Sequence, residues 1–568
     1  MIQNLKHALL NTGIPSQILY RLGLYRSVQQ ARYRRTHRAE WKAVYQDYLS
    51  CKDDWETIAT DVPPGSPDQT VWLMNGTGFT GMIKLEVVLG LLLRLAGYLP
   101  EIVEVNTHLP DYRLFHSMVG HQYFLEFSNY RMAEKRRKLP DSIHAFFDGQ
   151  PSILGLLHLQ YRRVDVGRIA LSNYLYWNKF TRFDISNPQT QKSLMQDLAN
   201  IIRNVHAAEK MIEDSRPALL CVVEKGLSPN ADIVSVCIAR DVPVVQYVNS
   251  QHSNSFILKR FNYQNRHNHP SSLHHTTWED VKQMPWSDEQ EQHLLDEFRR
   301  GYEEGTWFGR KYLHENKKFK SAHLIREQLG LDPNKKTVVV FSHVLWDATF
   351  FYGESLFEDY ETWLLETIKA ACQNPSVNWV IKLHPDLVWK LKYENYSGEL
   401  RDVLAIKSEV GALPDHITLV MPEIDISTYS FFDITDYCLT VRGTIGIEMA
   451  CHAVPVITAG TGRYSGMGFT FDSDSQEEYL EKLAHIAEHP PMDARQIELA
   501  RRFAYTLFLK RPWELESFIM TRPEVRDMGK ITDYNLQVDI SLNDLKTATD
   551  IQLLKSWFCS RKVDYLSD

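Results

Sequence analysis

Short unbroken apolar runs alternate with longer amphipathic stretches along most of the chain, and this alternation predicts an α/β protein. Val71-Trp-Leu-Met74 reads as a buried strand, Asn75-Gly-Thr-Gly-Phe-Thr-Gly81 as a glycine turn, Met82–Tyr98 as a helix with an apolar face, and Glu101–Val105 as the next strand. The same order returns after a helix over Gln191–Asp214: strand Ala218–Val223, helix Asn230–Ala239, strand Val242–Val248. Strands this apolar suit a parallel sheet covered on both faces. Residues 262–335 are polar, with a long amphipathic stretch at 287–330, and read as inter-domain material. A second series then opens with strands Val338–Phe341, Trp379–Leu383, Ile417–Met421 and Tyr437–Val441, a further strand at Val454, and helices over Asp359–Cys372 and Ser475–Glu488.

The pattern predicts two Rossmann-like, doubly wound domains facing each other across a cleft. Their expected bounds are a basic amphipathic segment at 1–45, a first domain with linker at 46–330, a second domain at 335–495, and crossover helices with a tail at 496–568. The helices of Asp493–Ile519 are expected to cross back to the first domain, and the last 45 or so residues to form a helical appendage ending in Leu553–Phe558.

Composition changes this picture little. The chain has 568 residues, 44% hydrophobic and 24% charged, with a net charge of −8, so no overall basic field favours nucleic acid. Seven scattered cysteines without a C-x-x-C pair fit neither a disulfide framework nor a zinc site and point to a reducing cytoplasm. The start lacks the apolar core of a signal peptide, and the most apolar run, Ile83–Leu99, is broken by Lys84, Glu86 and Arg94, so no transmembrane span is expected. One local asymmetry stands out. Residues 1–42 carry eight Lys or Arg against the single acid Glu40, interleaved with Ile18, Leu19, Leu22, Leu24 and Tyr25, as a segment lying on an anionic membrane face would. The competing reading is a solvated helix packed on its own domain.

The candidate chemistry sits at predicted strand ends. Arg442-Gly-Thr-Ile-Gly-Ile-Glu448, after the strand Tyr437–Val441, combines a guanidinium fork with a glycine turn at a helix start, an arrangement that attracts phosphate. Lys382 and His384-Pro385 end a neighbouring strand, so cations and main-chain donors can converge on one phosphate or pyrophosphate. A second glycine loop, Gly460–Gly468, reads as a lip over the donor, with Arg463 and Tyr464 reaching it. In the first domain, Glu224 ends the strand Ala218–Val223, where a carboxylate could serve as base or nucleophile. Gly76, Gly78 and Gly81 fall as G-x-G-x-x-G, but the acid expected some twenty residues on is ambiguous between Glu101 and Glu104. Asn75, Gly76, Thr77 and Gly78 therefore read better as an acceptor-facing loop. The histidines of 265–275 lack acid or cysteine partners at ligand spacing, and Asp472-Ser-Asp474 precedes a helix, where carboxylates cap. No metal and no cofactor are expected.

Lys382-Leu-His-Pro385, Arg442–Glu448 and Pro455–Thr470 together resemble the capsule polysaccharide biosynthesis family, GT-B glycosyltransferases related to the bacterial β-Kdo transferases. Val344-Leu-Trp-Asp347, before Leu356-Phe357 and Trp363, resembles that group as well. The resemblance covers residues 335–480 well and the amino-terminal half loosely. It implies a GT-B-like fold and a nucleotide-sugar donor in the second domain, with His384 and Pro385 at the donor phosphate and Thr444 the hydroxyl beside it. Lys382, Gly443, Gly446 and Glu448 belong to the same donor set. A catalytic carboxylate is implied in the first domain, where Glu224 is the nearest match and Asp148 or Glu86 the alternatives.

The expected activity is metal-independent transfer of a sugar to a growing capsule or surface polysaccharide or to a glycolipid, in the cytoplasm and associated with the inner membrane face. The rivals are a nucleotide-sugar epimerase of the same architecture and a non-catalytic scaffold of a polysaccharide assembly complex.

Overall fold

The computed structural model describes residues 25–74, 78–105, 112–182, 184–309, 314, 316–389, 398–521, 532–539, 541–542 and 544–567. Two sheets organise them. The first contains β1 (Ser66–Met74), β2 (Tyr98–Glu104), β3 (Tyr123–Glu126), β4 (Leu219–Val222), β5 (Val244–Asn249) and β6 (Ser255–Phe261). The second contains β7 (Thr337–Phe341), β8 (Asn378–Lys382), β9 (Ile417–Val420), β10 (Tyr437–Thr440) and β11 (Val456–Thr458), all parallel, in the order β11-β10-β7-β8-β9.

The unbroken apolar runs serve two cores at once, because successive strand side chains point to opposite faces. Val71 and Leu73 enter the core beneath helices Arg38–Ala59 and Thr80–Leu95, whereas Trp72 and Met74 enter the core beneath Pro188–Ser215 and Asn230–Ala239. In the second sheet Val339 and Phe341 face one core, and Val338 and Val340 the other. Each domain is thus covered on both sides, as a parallel sheet requires.

After helix Ala494–Tyr505 the chain crosses back, and β12 (Pro512–Glu514) pairs antiparallel with β6 at the edge of the first sheet, whose order is β12-β6-β5-β4-β1-β2-β3. Two Rossmann-like units joined by a returning carboxyl-terminal segment make the GT-B-like plan.

The tail differs from the expected helical appendage. β13 (Phe518–Thr521) and β14 (Asn535–Val538) form an antiparallel hairpin, and helix Thr549–Cys559 follows it. The helical stretch expected over 493–519 ends at Tyr505, followed by a π-helical turn at Thr506–Lys510, and Pro512 and Trp513 then join the sheet edge. The stretch 287–330 divides into helices Asp288–Glu303 and Ala322–Gln328.

Most of the basic amino-terminal segment, residues 1–24, lies outside the described residues. Its described part turns inward as well as outward. Val28 and Tyr33 are buried, Arg26 pairs with Glu104 at 3.1 Å, and Arg34, Arg35 and Arg38 are exposed. Among the described residues no helix is long and apolar enough to cross a membrane.

Candidate functional site

The carboxyl ends of β5, β7, β8 and β10 meet around a cavity of about 450 Å³ between the two sheets. The first domain contributes Val248, Asn249 and the loop His269-Pro270-Ser271, and the second contributes Ser342, His343, Lys382, His384, Pro385, Gly443, Thr444, Glu448 and Arg463. A side wall comes from the linker: Tyr302, Trp307, Phe308, His314 and Lys317. Open α/β sheets bind ligands at strand carboxyl ends because backbone and side-chain groups converge there without crossing the core.

The cavity is cationic. Lys382, at the last position of β8, is 5% exposed; its ammonium lies 5.5 Å from the Phe431 ring centre and 5.9 Å from that of Phe341. Burial, helped by Lys317, lowers its pKa to about 7. Arg463 donates to Arg442 O at 3.3 Å, and its buried Nε has no protein partner among the described residues. Glu448 is the one acid in the lining among the described residues. Tyr302 Oη donates to its Oε2 at 2.7 Å and Trp307 Nε1 to its Oε1 at 3.4 Å, while burial raises its pKa to about 7.

Three histidines are held by main-chain groups. His384 N donates to Ser342 Oγ at 2.9 Å, and its Nδ1 accepts from Asp386 N at 3.2 Å, which leaves Nε2 to carry the proton of the neutral ring. His343 Nε2 accepts from Val441 N at 3.2 Å, and His269 Nδ1 from Ser271 N at 2.9 Å. Burial holds the pKa values of His343 and His269 well below the usual histidine range, so both are neutral acceptors at pH 7.

The two glycine turns are built for reasons beyond phosphate. A Cβ on Gly446 would stand 2.2 Å from Tyr464 Oη, and that buried phenol donates to Gly443 O at 2.7 Å. Gly446 is therefore a packing requirement, and Tyr464 props the turn from behind rather than lining the cavity.

Arg442 does not line it either. Its Nη2 donates to Glu354 O at 2.9 Å and to Ser355 Oγ at 2.5 Å, and its Nη1 donates to Tyr352 O. Both Nη atoms are given to a loop that Arg168 of the first domain grips from the other side, through Phe350 O at 3.1 Å and Gly353 O at 2.9 Å, while the buried Nε of Arg442 has no partner among the described residues. The second glycine loop joins the same inter-domain contact, with Gly462 O accepting from His269 N at 2.8 Å. Asp472 pins that loop by accepting from Thr458 Oγ1 at 2.5 Å and Gly466 N at 2.7 Å.

Glu224 stands outside the cavity lining. Its Oε1 accepts from Gly226 N at 2.5 Å, and burial raises its pKa, with Asp347 adding to the rise and Lys225 opposing it. Burial raises the pKa of the lining residue Tyr352, and the charge of Glu224 adds to the rise. The alternatives are further removed. Glu86 is buried 3.4 Å from His116 within the first core, and Asp148 is exposed at the end of helix Asp141–Asp148.

On the acceptor side, Asn75, Gly76 and Thr77 lie outside the described residues. Gly78 O accepts from Tyr112 Oη, and Gly81 N, in the first turn of the following helix, donates to Tyr534 O of the tail at 2.7 Å. A phosphate at the G-x-G-x-x-G turn would compete with that contact, which is the physical case against a dinucleotide fingerprint here. Tyr534 Oη also donates to Asn249 Oδ1 at 3.2 Å, tying the tail to the cavity rim.

Residues 291–507 match the family model described as capsule polysaccharide biosynthesis protein. Over that stretch the chain resembles this family. The match contains Lys382–Pro385, Arg442–Glu448, Arg463 and the linker wall, and stops short of the first sheet. No curated protein matches the sequence.

Among solved structures, the β-Kdo 2,4 transferase KpsC of Thermosulfurimonas dismutans aligns at 12% identity over 52% of this chain and 81% of its own, with a TM-score of 0.31. A UDP-GlcNAc 2-epimerase from Neisseria meningitidis aligns at 11% identity over 77% and 94%, with a TM-score of 0.26. The spinosyn rhamnosyltransferase SpnG aligns at 12% over 76% and 95%, with a TM-score of 0.25.

Sequence reasoning missed the linker wall, His343, His269 and Tyr352. Two of these carried a usable signal: Ser342-His343 follows the β7 strand end as His384-Pro385 follows β8, and His269 lies in the histidine-rich stretch. Among the described residues no three His, Cys, Asp or Glu side chains gather as a metal-binding group.

Proposed function

We propose that the chain is a GT-B-type glycosyltransferase that binds a nucleotide-sugar in this cavity and passes the sugar to a capsule or surface polysaccharide or a glycolipid. The observation that carries the reading is the convergence of Lys382, His384, Thr444 and Arg463 on one cavity between two Rossmann-like units, with Glu448 its single acid among the described residues. The family match over 291–507 points the same way.

In this reading Lys382 and Arg463 neutralise the donor phosphates, and His384 Nε2–H with Thr444 Oγ1 donates to them. The acceptor hydroxyl oxygen attacks the anomeric carbon, and the bond from that carbon to the phosphate oxygen breaks with its electron pair left on phosphate. Preorganised donors at that oxygen stabilise the charge as it develops, and loss of one such donor costs about 10²–10³ in rate. Glu224, its pKa raised by burial and its charge felt by the lining residue Tyr352, is the base proposed to take the acceptor proton once the acceptor reaches it. The chain's own cations do the work a divalent ion would otherwise do, so full turnover in EDTA is the expected result.

The test is transfer from a panel of nucleotide sugars to lipid-linked or polysaccharide acceptors, with His384→Ala and Glu224→Gln. Both variants should lose transfer, and Glu224→Gln should keep nucleotide binding. An epimer formed from nucleotide sugar without acceptor would replace the reading with an epimerase. Unchanged glycan output from cells carrying both substitutions would replace it with a scaffold.

Membrane contact is part of the proposal, through the exposed Arg34, Arg35 and Arg38. Sedimentation with phosphatidylglycerol vesicles should fall when these three are changed to glutamate, and equal sedimentation removes the membrane from the reading.

A further inference from the structure

The segment closing helix Asp288–Glu303 is folded tightly against the cavity. Gly305 takes a φ of 65°, Thr306 N bonds back to Gly301 O at 2.9 Å, and Trp307 packs so close over Gly301 that a Cβ there would lie 2.6 Å from the indole. The next residue, Phe308, has φ 57° and ψ 21°. This is the left-handed region, uncommon for any residue but glycine and a genuine outlier for a bulky one. Strain of this kind persists only where the surroundings enforce it, and it gathers at ligand sites. Phe308 is half-buried and meets Trp307 edge-on at 5.5 Å, and it lines the cavity with Tyr302, Trp307 and His314.

The chemistry of this wall differs from that of the others. Lys382, Arg463, His384 and Thr444 suit phosphate, whereas the linker offers ring faces. The polar atoms of two of those rings, Tyr302 Oη and Trp307 Nε1, are already given to Glu448, so what they present is π surface. Burial lowers the pKa of His314, so its ring adds a neutral face to the wall. The Phe308 ring meets Phe508 edge-on at 6.3 Å on its inner side and lines the cavity on its other.

We propose that Phe308, flanked by Trp307 and His314, is the platform on which the base of the donor nucleotide stacks. The proposal rests on reading the cavity as the donor pocket and adds that the inter-domain linker, outside both Rossmann-like sheets, distinguishes a nucleotide from a bare sugar phosphate. Any base has a π face, so this platform sets nucleotide against sugar phosphate rather than one base against another.

The experiment is calorimetric titration of the full chain with CMP, UMP and ribose 5-phosphate, which carries the ribose and phosphate without the base. The wild-type protein should bind at least one of the two nucleotides tighter than ribose 5-phosphate by about tenfold or more. Phe308→Gly should abolish that preference while leaving ribose 5-phosphate affinity unchanged, and Phe308→Tyr should retain it. Glycine accepts the backbone conformation at position 308 without strain, so this variant separates a lost platform from a lost fold, and thermal unfolding checks that it is folded. A preference that survives in Phe308→Gly, or one absent from the wild type while ribose 5-phosphate still binds, overturns the platform and leaves the phosphate pocket standing. No binding of any of the three overturns the donor-pocket reading and the platform with it.

Discussion

The Tyr302 hydroxyl donates to Glu448 Oε2 at 2.7 Å, joining the linker helix Asp288–Glu303 to the short helix Ile445–Cys451 of the second domain. Trp307 Nε1 completes the pair of donors on the same carboxyl group. One buried acid thus ties the linker wall to the second domain.

That contact has a pH signature. Burial raises Glu448 to about 7, above the ordinary carboxyl value of about 4.3 that it regains on unfolding. The native state therefore binds the proton more readily, and the stability due to this group is complete below about pH 4.3 and is lost as pH rises through about 7. Glu448→Gln should flatten the fall in melting temperature over that window, measured by thermal unfolding at several pH values. An unaltered profile would show that the carboxyl is charged throughout.

Lys382 titrates in the opposite sense. Burial lowers it to about 7, so in the free protein it loses its charge as pH rises past that value. Nucleotide affinity should weaken from about pH 7 to 9 in the wild-type protein, and Lys382→Met should bind weakly with little dependence on pH. Titration calorimetry at pH 6.5 and 8.5 decides it.

Arg442 and Lys382 should separate in their effects. Arg442→Ala strips the donors from Tyr352 O, Glu354 O and Ser355 Oγ. Tyr352 O and Ser355 Oγ then lose this donor while Glu354 O keeps Thr461 N at 2.8 Å, and each unpaired, partly buried acceptor costs about 1 kcal/mol, so the variant should melt lower than the wild type. Lys382→Met should melt no lower than the wild type, because among the described residues the buried ammonium has no carboxylate partner to lose. Equal losses of stability in both variants would contradict the clamp role of Arg442.

The tail is bound to the first domain through a buried charge. Lys84, fully buried, donates to Asp47 Oδ1 at 3.0 Å and Asn535 Oδ1 at 2.9 Å. Removing the acid from a buried pair leaves an uncompensated charge and costs about 3–5 kcal/mol. Asp47→Ala should lower stability by that order in a denaturant titration, and Lys84→Met in the same background should recover part of it.

What the chain determined by itself was whatever depends on neighbours in sequence. Val71–Met74, Ala218–Val223 and Val338–Phe341 are apolar at every position, which only a strand covered on both faces can use, and the turns that follow them announced parallel α/β units. From strand-end logic came Lys382 and His384, and from the family resemblance Thr444 and Glu448; these four line one cavity.

Tertiary structure decided the rest, because direction in space is not a local property. Arg442 and Arg463 look equally suited to phosphate in the sequence; one is consumed by the loop at 352–355, and the other reaches the cavity. Gly446 resembled a phosphate turn until Tyr464 was found beneath it. Tyr302, Trp307 and Phe308 sit in an amphipathic linker that carries no motif. They become a wall only because Glu448, almost 150 residues further along the chain, accepts hydrogen bonds from two of them.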